Sequence, residues 1–435
     1  MTRQEIELLA PVGSRESLAA ALKAGADAIY FGAGSLNMRA RSSALFGLDD
    51  LHEIAATAAG KGARSYLTLN VVLFDEDLDE MRRIVDAAKE NGVNAIIACD
   101  VAAMEYARSI GMEVHLSTQA NVSSFEALRF YSRWVDTVVL ARELSLDQVA
   151  AICTSIQKKD LRGPSSRLVC VELFAHGALC MAVSGKCYLS LHRYGAAANR
   201  GECFQNCRRS YILKDAETGQ EMEVAHTEPC PGTGTDPRTG GNLDSSKGGD
   251  YFLSPKDLKT IGFLDRMLAA GVRSFKIEGR ARSADYVLAT VECYAQAIDS
   301  VLDGSFSPAK VAVWDERLSE VFNRGFWDGW YLGSQLGERT DAYGSKATMK
   351  KVLIGVCLNY FPKAGAAEFL LEAGGLLRGD GILVAGPTTG ALRMDATELR
   401  VDDTVVEAVE KGSSLTLPVP EKVRKGDKLY RMDKI

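Results

Sequence analysis

The sequence predicts an α/β chain: a (β/α)8 TIM-type barrel with a Cys-rich insertion after its seventh strand, followed by a small C-terminal β-barrel domain. Three observations carry this reading. Short β-branched apolar runs alternate with longer runs of helical spacing, and the unit recurs eight times in the first 304 residues. The strand runs are nearly continuously apolar, as strands of a parallel sheet covered on its outside are. Several of the helical runs end in a glycine, Gly25, Gly92, Gly111 and Gly271, the residue that accepts the left-handed turn after a helix. A doubly wound open sheet is the runner-up, and its dinucleotide-binding form is disfavoured because no G-x-G-x-x-G follows the first strand.

In order, strands are expected at Ile6–Leu9, Ala28–Phe31, Tyr66–Val71, Val93–Ala98, Glu113–Ser117, Thr137–Ala141 and Leu168–Phe174. The helices between them are expected at Ser14–Ala24, Leu48–Lys61, Asp77–Glu90, Val101–Ile110, Ser124–Trp134 and Leu146–Lys158. A Cys- and Gly-rich insertion, about 176–250, separates the seventh strand from a helix at Asp257–Ala270, a strand at Ser274–Ile277 and a helix at Ala284–Leu302. Its stretch Asp215–Asp250 is rich in Gly, Thr, Asp and Pro and reads as a flexible surface segment. Residues 1–304 thus form the barrel and 305–345 an aromatic-rich connecting arm. Residues 346–435 form the β-barrel module, in which Arg378-Gly379-Asp380 and Lys425-Gly426-Asp427 each precede an apolar strand.

Composition narrows the function. The 435 residues are 46% apolar with a net charge of -6, an ordinary globular balance that leaves nucleic-acid binding to a local basic patch. No apolar run reaches the ~18 residues of a membrane span. Met1–Glu7 lacks the apolar core of a secretory leader, so the chain is expected in the cytoplasm. Thiols stay reduced there, so clustered cysteines among the ten point to metal ligation or catalysis rather than disulfides.

In a barrel of this kind the chemistry gathers at the C-terminal ends of the strands. Read in order, those ends supply Asn70, Gln119, Arg142, Glu172 with His176, and Lys276 to Arg280, a ring that reads as a binding cavity. Arg142, Lys276 and Arg280 suit an anionic ligand, because a guanidinium fork matches a carboxylate or phosphate. Arg39 and Arg41, after the second strand, are candidates for the same anion. Glu143, Glu172 and Glu278 would orient these cations or move protons.

Cys99, Cys153, Cys170, Cys293 and Cys357 fall in apolar patterns and read as core. Cys180, Cys187, Cys203 and Cys207 cluster in a segment rich in Gly, Ser and Arg, and the spacing suits a metal or an iron–sulfur cluster. Zinc would favour a tighter first pair. A zinc protease is disfavoured because His52-Glu53 meets Ala56 where a second histidine would be needed, and no G-x-S-x-G is present. Proteolysis would fall to a Cys180–His176 pair.

The stretch from Glu172 to Ser190, with Leu9-Ala-Pro-Val-Gly-Ser14, Leu116-Ser-Thr-Gln119, Asn199-Arg-Gly-Glu-Cys203 and Phe275-Lys-Ile-Glu-Gly-Arg280, resembles peptidase family U32 over most of the chain. The resemblance implies an oxygen-independent, prephenate-dependent hydroxylase, of which the branch forming 5-hydroxyuridine at the tRNA wobble position fits this length. Hydroxylases of ribosomal RNA and of a quinone precursor, and a collagenase-like peptidase, are the alternatives it brings. It implies a 4Fe–4S cluster on Cys180, Cys187, Cys203 and Cys207, with Cys230 as a substitute for the last ligand. It implies prephenate, a dicarboxylate, against Arg142, Lys276 and Arg280. tRNA would be bound weakly by Arg193, Arg200, Arg208 and Arg209, with Tyr194 or Phe204 stacking on bases. A non-enzymatic cluster protein that acts only with a partner subunit is a third reading.

Overall fold

The computed structural model describes residues 1–40, 46–215, 217–219, 221–222, 251–334, 337–341 and 343–435. Among these, eight parallel strands close into a barrel. Seven come in succession: β1 (Glu7–Pro11), β2 (Ala28–Phe31), β3 (Arg64–Leu69), β4 (Ala95–Ala98), β5 (Glu113–Leu116), β6 (Thr137–Val139) and β7 (Cys170–Gly177). The eighth, Ser274–Ile277, pairs with both β7 and β1 and shuts the ring. The helices between are α1 (Arg15–Lys23), α2 (Leu51–Ala59), α3 (Leu78–Glu90), α4 (Val101–Ser109), α5 (Phe125–Tyr131) and α6 (Leu146–Lys158).

Local chemistry fixes these elements. Ser14, Ser124 and Ser145 each accept a backbone N–H from the first turn of the helix they precede, satisfying donors that a helix start leaves free. The four predicted glycines all take positive φ, from 75° at Gly111 to 99° at Gly271. Helix faces and the outer strand face share one apolar core that includes Leu8, Phe31, Ile54, Ile96 and Val287.

Two boundaries differ from expectation for tertiary reasons. β3 ends at Leu69 because Asn70 leaves the ladder and its Oδ1 accepts the Met38 N–H at 3.2 Å. β7 runs on to Gly177 because a strand pairs antiparallel with its end. That strand, Asp257–Lys259, lies where the sequence pattern suggested the start of a helix, and the helix proper spans only Leu264–Ala269. Asp257–Lys259 also pairs with Phe326–Trp327, so ladder bonds on both sides override the helical spacing.

The expected arm therefore belongs to the barrel wall. It contains a helix, Pro308–Glu320, and buries Trp314, Trp327 and Tyr331 in the main core. Beyond it lies an antiparallel sheet of eight strands, which include Met349–Phe361, Gly381–Gly386, Gly390–Asp395 and Lys428–Lys434. Its own core contains Ile354, Phe369, Val384, Leu415 and Leu429. The strands after the two Gly-Asp echoes are neighbours in this sheet. The module seats on α1 and on the helix Ala284–Leu302, where Leu383 and Ala391 join the barrel core and Lys351 pairs with Asp285 at 2.5 Å. Among the described residues no helix is long and apolar enough to cross a membrane.

Inside the barrel the packing departs from the usual layers of branched apolar side chains. Leu9, Ala28, Tyr30, Tyr66, Ala95 and Ile97 form a small apolar cluster. Glu172, His115, Ser274 and Lys276 are buried, and Glu172 and Ser274 hydrogen-bond each other.

Candidate functional site

At the C-terminal rim the strand ends and the Cys-rich segment enclose a cavity of about 210 Å³. Eleven of the fourteen residues expected at a site line it: Arg39, Asn70, Gln119, Arg142, Lys276, Glu278, Arg280 and the four cysteines. Arg41 lies outside the described residues, as does Cys230.

The floor is a buried ion pair. Lys276 Nζ stands 2.9 Å from Glu172 Oε1, with Lys276 4% exposed and Glu172 fully buried. Ser274 Oγ donates to the other carboxylate oxygen at 3.1 Å, and the Tyr30 ring lies 4.5 Å from the ammonium. Burial holds the Lys276 amine below the usual lysine range, and Glu172 opposes that shift. Glu172 thus sits behind Lys276 rather than in the cavity.

The walls carry guanidinium groups. Arg39 donates to Glu278 Oε1 at 2.9 Å. Burial alone would raise the Glu278 carboxyl, but Arg39, Arg282 and Arg142 outweigh it and hold it down at about 2. Arg280 donates to Thr68 Oγ1 at 2.6 Å and to Asn37 Oδ1 at 3.3 Å, and burial lowers it to about 10. Arg142 donates to the Ala178 carbonyl at 3.0 Å and lies 3.9 Å over the Phe174 ring, while its Nε is buried with no partner among the described residues. Gln119 Oε1 is likewise buried and unpartnered. Neutral groups hold Arg280 and Arg142 in place, so their charge remains available to an anionic ligand.

The roof is the Cys-rich segment, tied down at several points. Asn121 donates to the Ser184 carbonyl at 2.8 Å, and Val72 N–H to the Asn199 carbonyl at 3.0 Å. Arg208 donates to the Pro255 carbonyl at 2.6 Å and to the Leu179 carbonyl. Gly201 takes φ 88°, and a β-carbon there would stand 2.4 Å from the Asn37 carbonyl, so the roof meets the Arg39 loop where only glycine fits.

Cys180, Cys187, Cys203 and Cys207 all line this cavity and all are free thiols. Burial pushes the Cys207 thiol up to about 11; Arg208 opposes this, and the three other cysteines are close enough to raise it further. Among the described residues no group of three or more His, Cys, Asp or Glu is arranged to hold a single metal ion. A single ion needs thiolates about 2.3 Å from one point, whereas a cluster is ligated at separated irons and spreads its thiolates further apart. The four free thiols on one cavity are the donors that could hold an iron–sulfur cluster.

Two expectations need correction. His176 does not line the cavity: it is 1% exposed, packed among Tyr286, Tyr294 and Phe326, with Nδ1 3.4 Å from the Tyr294 hydroxyl. Burial drives it down to about 3, so it stays neutral, and a catalytic role or a Cys180–His176 pair lacks geometric support. Alternation alone would keep His176 on the inward face of Glu172 and Phe174, but β7 advances two residues from Phe174 to His176 while the eighth strand advances one from Lys276 to Ile277, and this bulge turns the ring outward. Arg208 is no surface contact for RNA but a half-buried clamp between roof and cavity, and Arg200 pairs with Asp77 and stacks 4.0 Å over Phe74. Arg193, Tyr194 and Arg209 remain exposed beside the site, with Tyr194 and Phe204 rings 4.5 Å apart. Sequence reasoning missed Arg282 and Arg324, which also line the cavity. Arg282 lies two residues beyond Arg280 in the same loop and was within reach, whereas Arg324 comes from the arm and carried no signal.

The model of the family described as Peptidase family U32 matches residues 13–341. A "Collagenase" of Porphyromonas gingivalis is 51% identical over 434 residues, covering 100% of this chain and 99% of that protein. "tRNA hydroxylation protein P1" of Bacillus subtilis is 31% identical over 81% of this chain and 77% of its own length. "23S rRNA 5-hydroxycytidine C2501 synthase" of Escherichia coli is 34% identical over 70% of this chain and 41% of its own length.

Proposed function

The chain belongs to peptidase family U32, and from that premise we propose that it is an RNA hydroxylase, converting uridine at the tRNA wobble position to 5-hydroxyuridine with prephenate as co-substrate. One observation carries this reading: four free cysteines, a buried lysine and several half-buried arginines share a cavity that no histidine among the described residues lines. The relatives named for tRNA and ribosomal RNA hydroxylation support it.

In this reading Cys180, Cys187, Cys203 and Cys207 hold a 4Fe–4S cluster, which supplies one-electron chemistry beside the cavity when bound. The protein's own groups bind and orient. Arg142 and Arg280 receive the carboxylates of the co-substrate, each already fixed by neutral partners and so losing little freedom on binding. Gln119 offers its buried acceptor to a hydroxyl of the ligand. Lys276, with its amine held below the ordinary range beside Glu172, holds or gives up a proton at Nζ. Glu278 keeps Arg39 facing inward. Arg193, Arg209 and Tyr194 lie exposed where a polynucleotide would cross the rim.

The 51% identity to a protein named collagenase favours a second reading, proteolysis with a cysteine nucleophile. The burial of His176 behind the barrel wall counts against it. Mass spectrometry of tRNA nucleosides separates the two. Cells lacking the gene are expected to lose 5-hydroxyuridine derivatives, regained with the wild-type gene but not with Cys187→Ser. Unchanged nucleosides, together with gelatin cleavage that Cys180→Ala abolishes, would overturn the hydroxylase reading.

A further inference from the structure

We propose that the polar side chains inside the barrel form a proton path from the lower rim to Lys276. The path runs from Glu7 through Ser274 and Glu172 to the Lys276 amine. Each contact is in place: Ser274 Oγ lies 3.2 Å from Glu7 Oε1 and 3.1 Å from Glu172 Oε2, and Glu172 Oε1 lies 2.9 Å from Lys276 Nζ. Glu7 and Lys276 open onto different spaces. Lys276 lines the upper cavity, and Glu7 lines a pocket of about 150 Å³ at the opposite rim with Arg64, Glu113, His115 and Asp136. Between them Ser274 and Glu172 are 1% and 0% exposed.

A hydroxyl carries one proton, so Ser274 can donate to only one of the two carboxylates that it touches. The second contact is satisfied only when that carboxyl is itself protonated and donates to the serine oxygen. Burial raises the Glu7 carboxyl, as does the nearby Glu172, which makes Glu7 the natural holder of that proton. The Tyr66 hydroxyl fixes its other oxygen. In the lower pocket His115 Nδ1 is buried and has no partner among the described residues, a site where an ordered water could lead to bulk solvent.

The transfer balances. A proton from solvent replaces the one that Glu7 gives to Ser274 Oγ. Ser274 passes its own proton to Glu172 Oε2, the carboxyl turns to present that proton to a neutral Lys276 amine, and the Ser274 hydroxyl and the Glu172 carboxylate then turn back. The net result is one proton moved from the lower rim to Nζ, with every intermediate group restored. Such a route matters when the upper mouth is covered, as it would be by a bound polynucleotide; this use of the path rests on the proposed function.

The test uses the full-length protein. Infrared spectra would identify the protonated carboxyl, and nitrogen-15 NMR would follow deuterium exchange at Lys276 Nζ in D2O with the upper mouth covered by bound tRNA. Glu7→Gln is expected to remove the protonated carboxyl band, Ser274→Ala to slow exchange at Nζ several-fold, and Ser274→Thr to restore it. In the tRNA assay the alanine variant is expected to lose turnover by a similar factor and the threonine variant to regain it. Exchange at the wild-type rate in Ser274→Ala, or no recovery in Ser274→Thr, would overturn the path. The expected exchange pattern without hydroxylated product in the wild-type protein would support the path and remove the hydroxylase reading.

Discussion

At the scale of single residues the Lys276–Glu172 pair has the largest energetic leverage. Two charges with 4% and 0% exposure cannot fall back on water when one is removed. Glu172→Ala leaves an unpaired buried ammonium, and about 3–5 kcal/mol of stability should be lost, read as a shift in the urea midpoint. Replacing both residues by apolar ones of similar size should cost much less. Glu278 provides a pH signature. Its carboxyl titrates near 2 in the folded chain against an ordinary value of 4.5. The stability this gives is fully present above 4.5 and lost as pH falls through about 2. Glu278→Gln should therefore flatten the acid limb of stability between these values while lowering stability at neutral pH, in denaturant titrations at a series of pH values.

At the scale of elements, what places the site is the meeting of loops from distant parts of the sequence. Gly13, after β1, would set a β-carbon 1.8 Å from the Arg280 carbonyl, so Gly13→Ala must push the loop carrying Arg280 away. Binding of the proposed co-substrate should weaken far more than overall stability, measured by calorimetry with prephenate alongside urea unfolding. At the N-terminus of α6, Ser145→Ala removes the cap on the Gln148 N–H and should cost about 1 kcal/mol without touching the site. The elements were legible where one physical cause sets them: apolar runs for the strands, helical spacing and glycine ends for the helices. The misread segment was Asp257–Lys259, whose strand state comes from ladder partners at Gly177 and Phe326 that local pattern cannot reveal. The site was legible for the same reason as the barrel, since strand ends converge by construction and Arg142, Lys276 and Arg280 follow from position. His176 was misassigned because alternation from Glu172 points it inward, and the bulge between Phe174 and His176 that reverses it leaves no local signal. Arg324 was missed because it arrives from the arm.

At the scale of the whole molecule, the C-terminal sheet is seated on the barrel rather than tethered to it. Gly390 packs against the backbone of α1, where a β-carbon would lie 2.7 Å from Ala20 N. Gly390→Val should lift the module off and expose residues near 345 to limited proteolysis while the barrel stays folded. The same architecture puts a sulfur-rich roof, a cationic cavity and an exposed basic and aromatic rim in one place, as the proposed RNA chemistry requires. Anaerobically prepared full-length protein, incubated with unmodified tRNA and prephenate and followed by nucleoside mass spectrometry, addresses that claim directly. The account predicts 5-hydroxyuridine with the wild-type protein and its loss in both Cys203→Ala and Arg142→Ala. Product formed undiminished by both variants, or none formed by an iron-loaded wild-type protein, would contradict it.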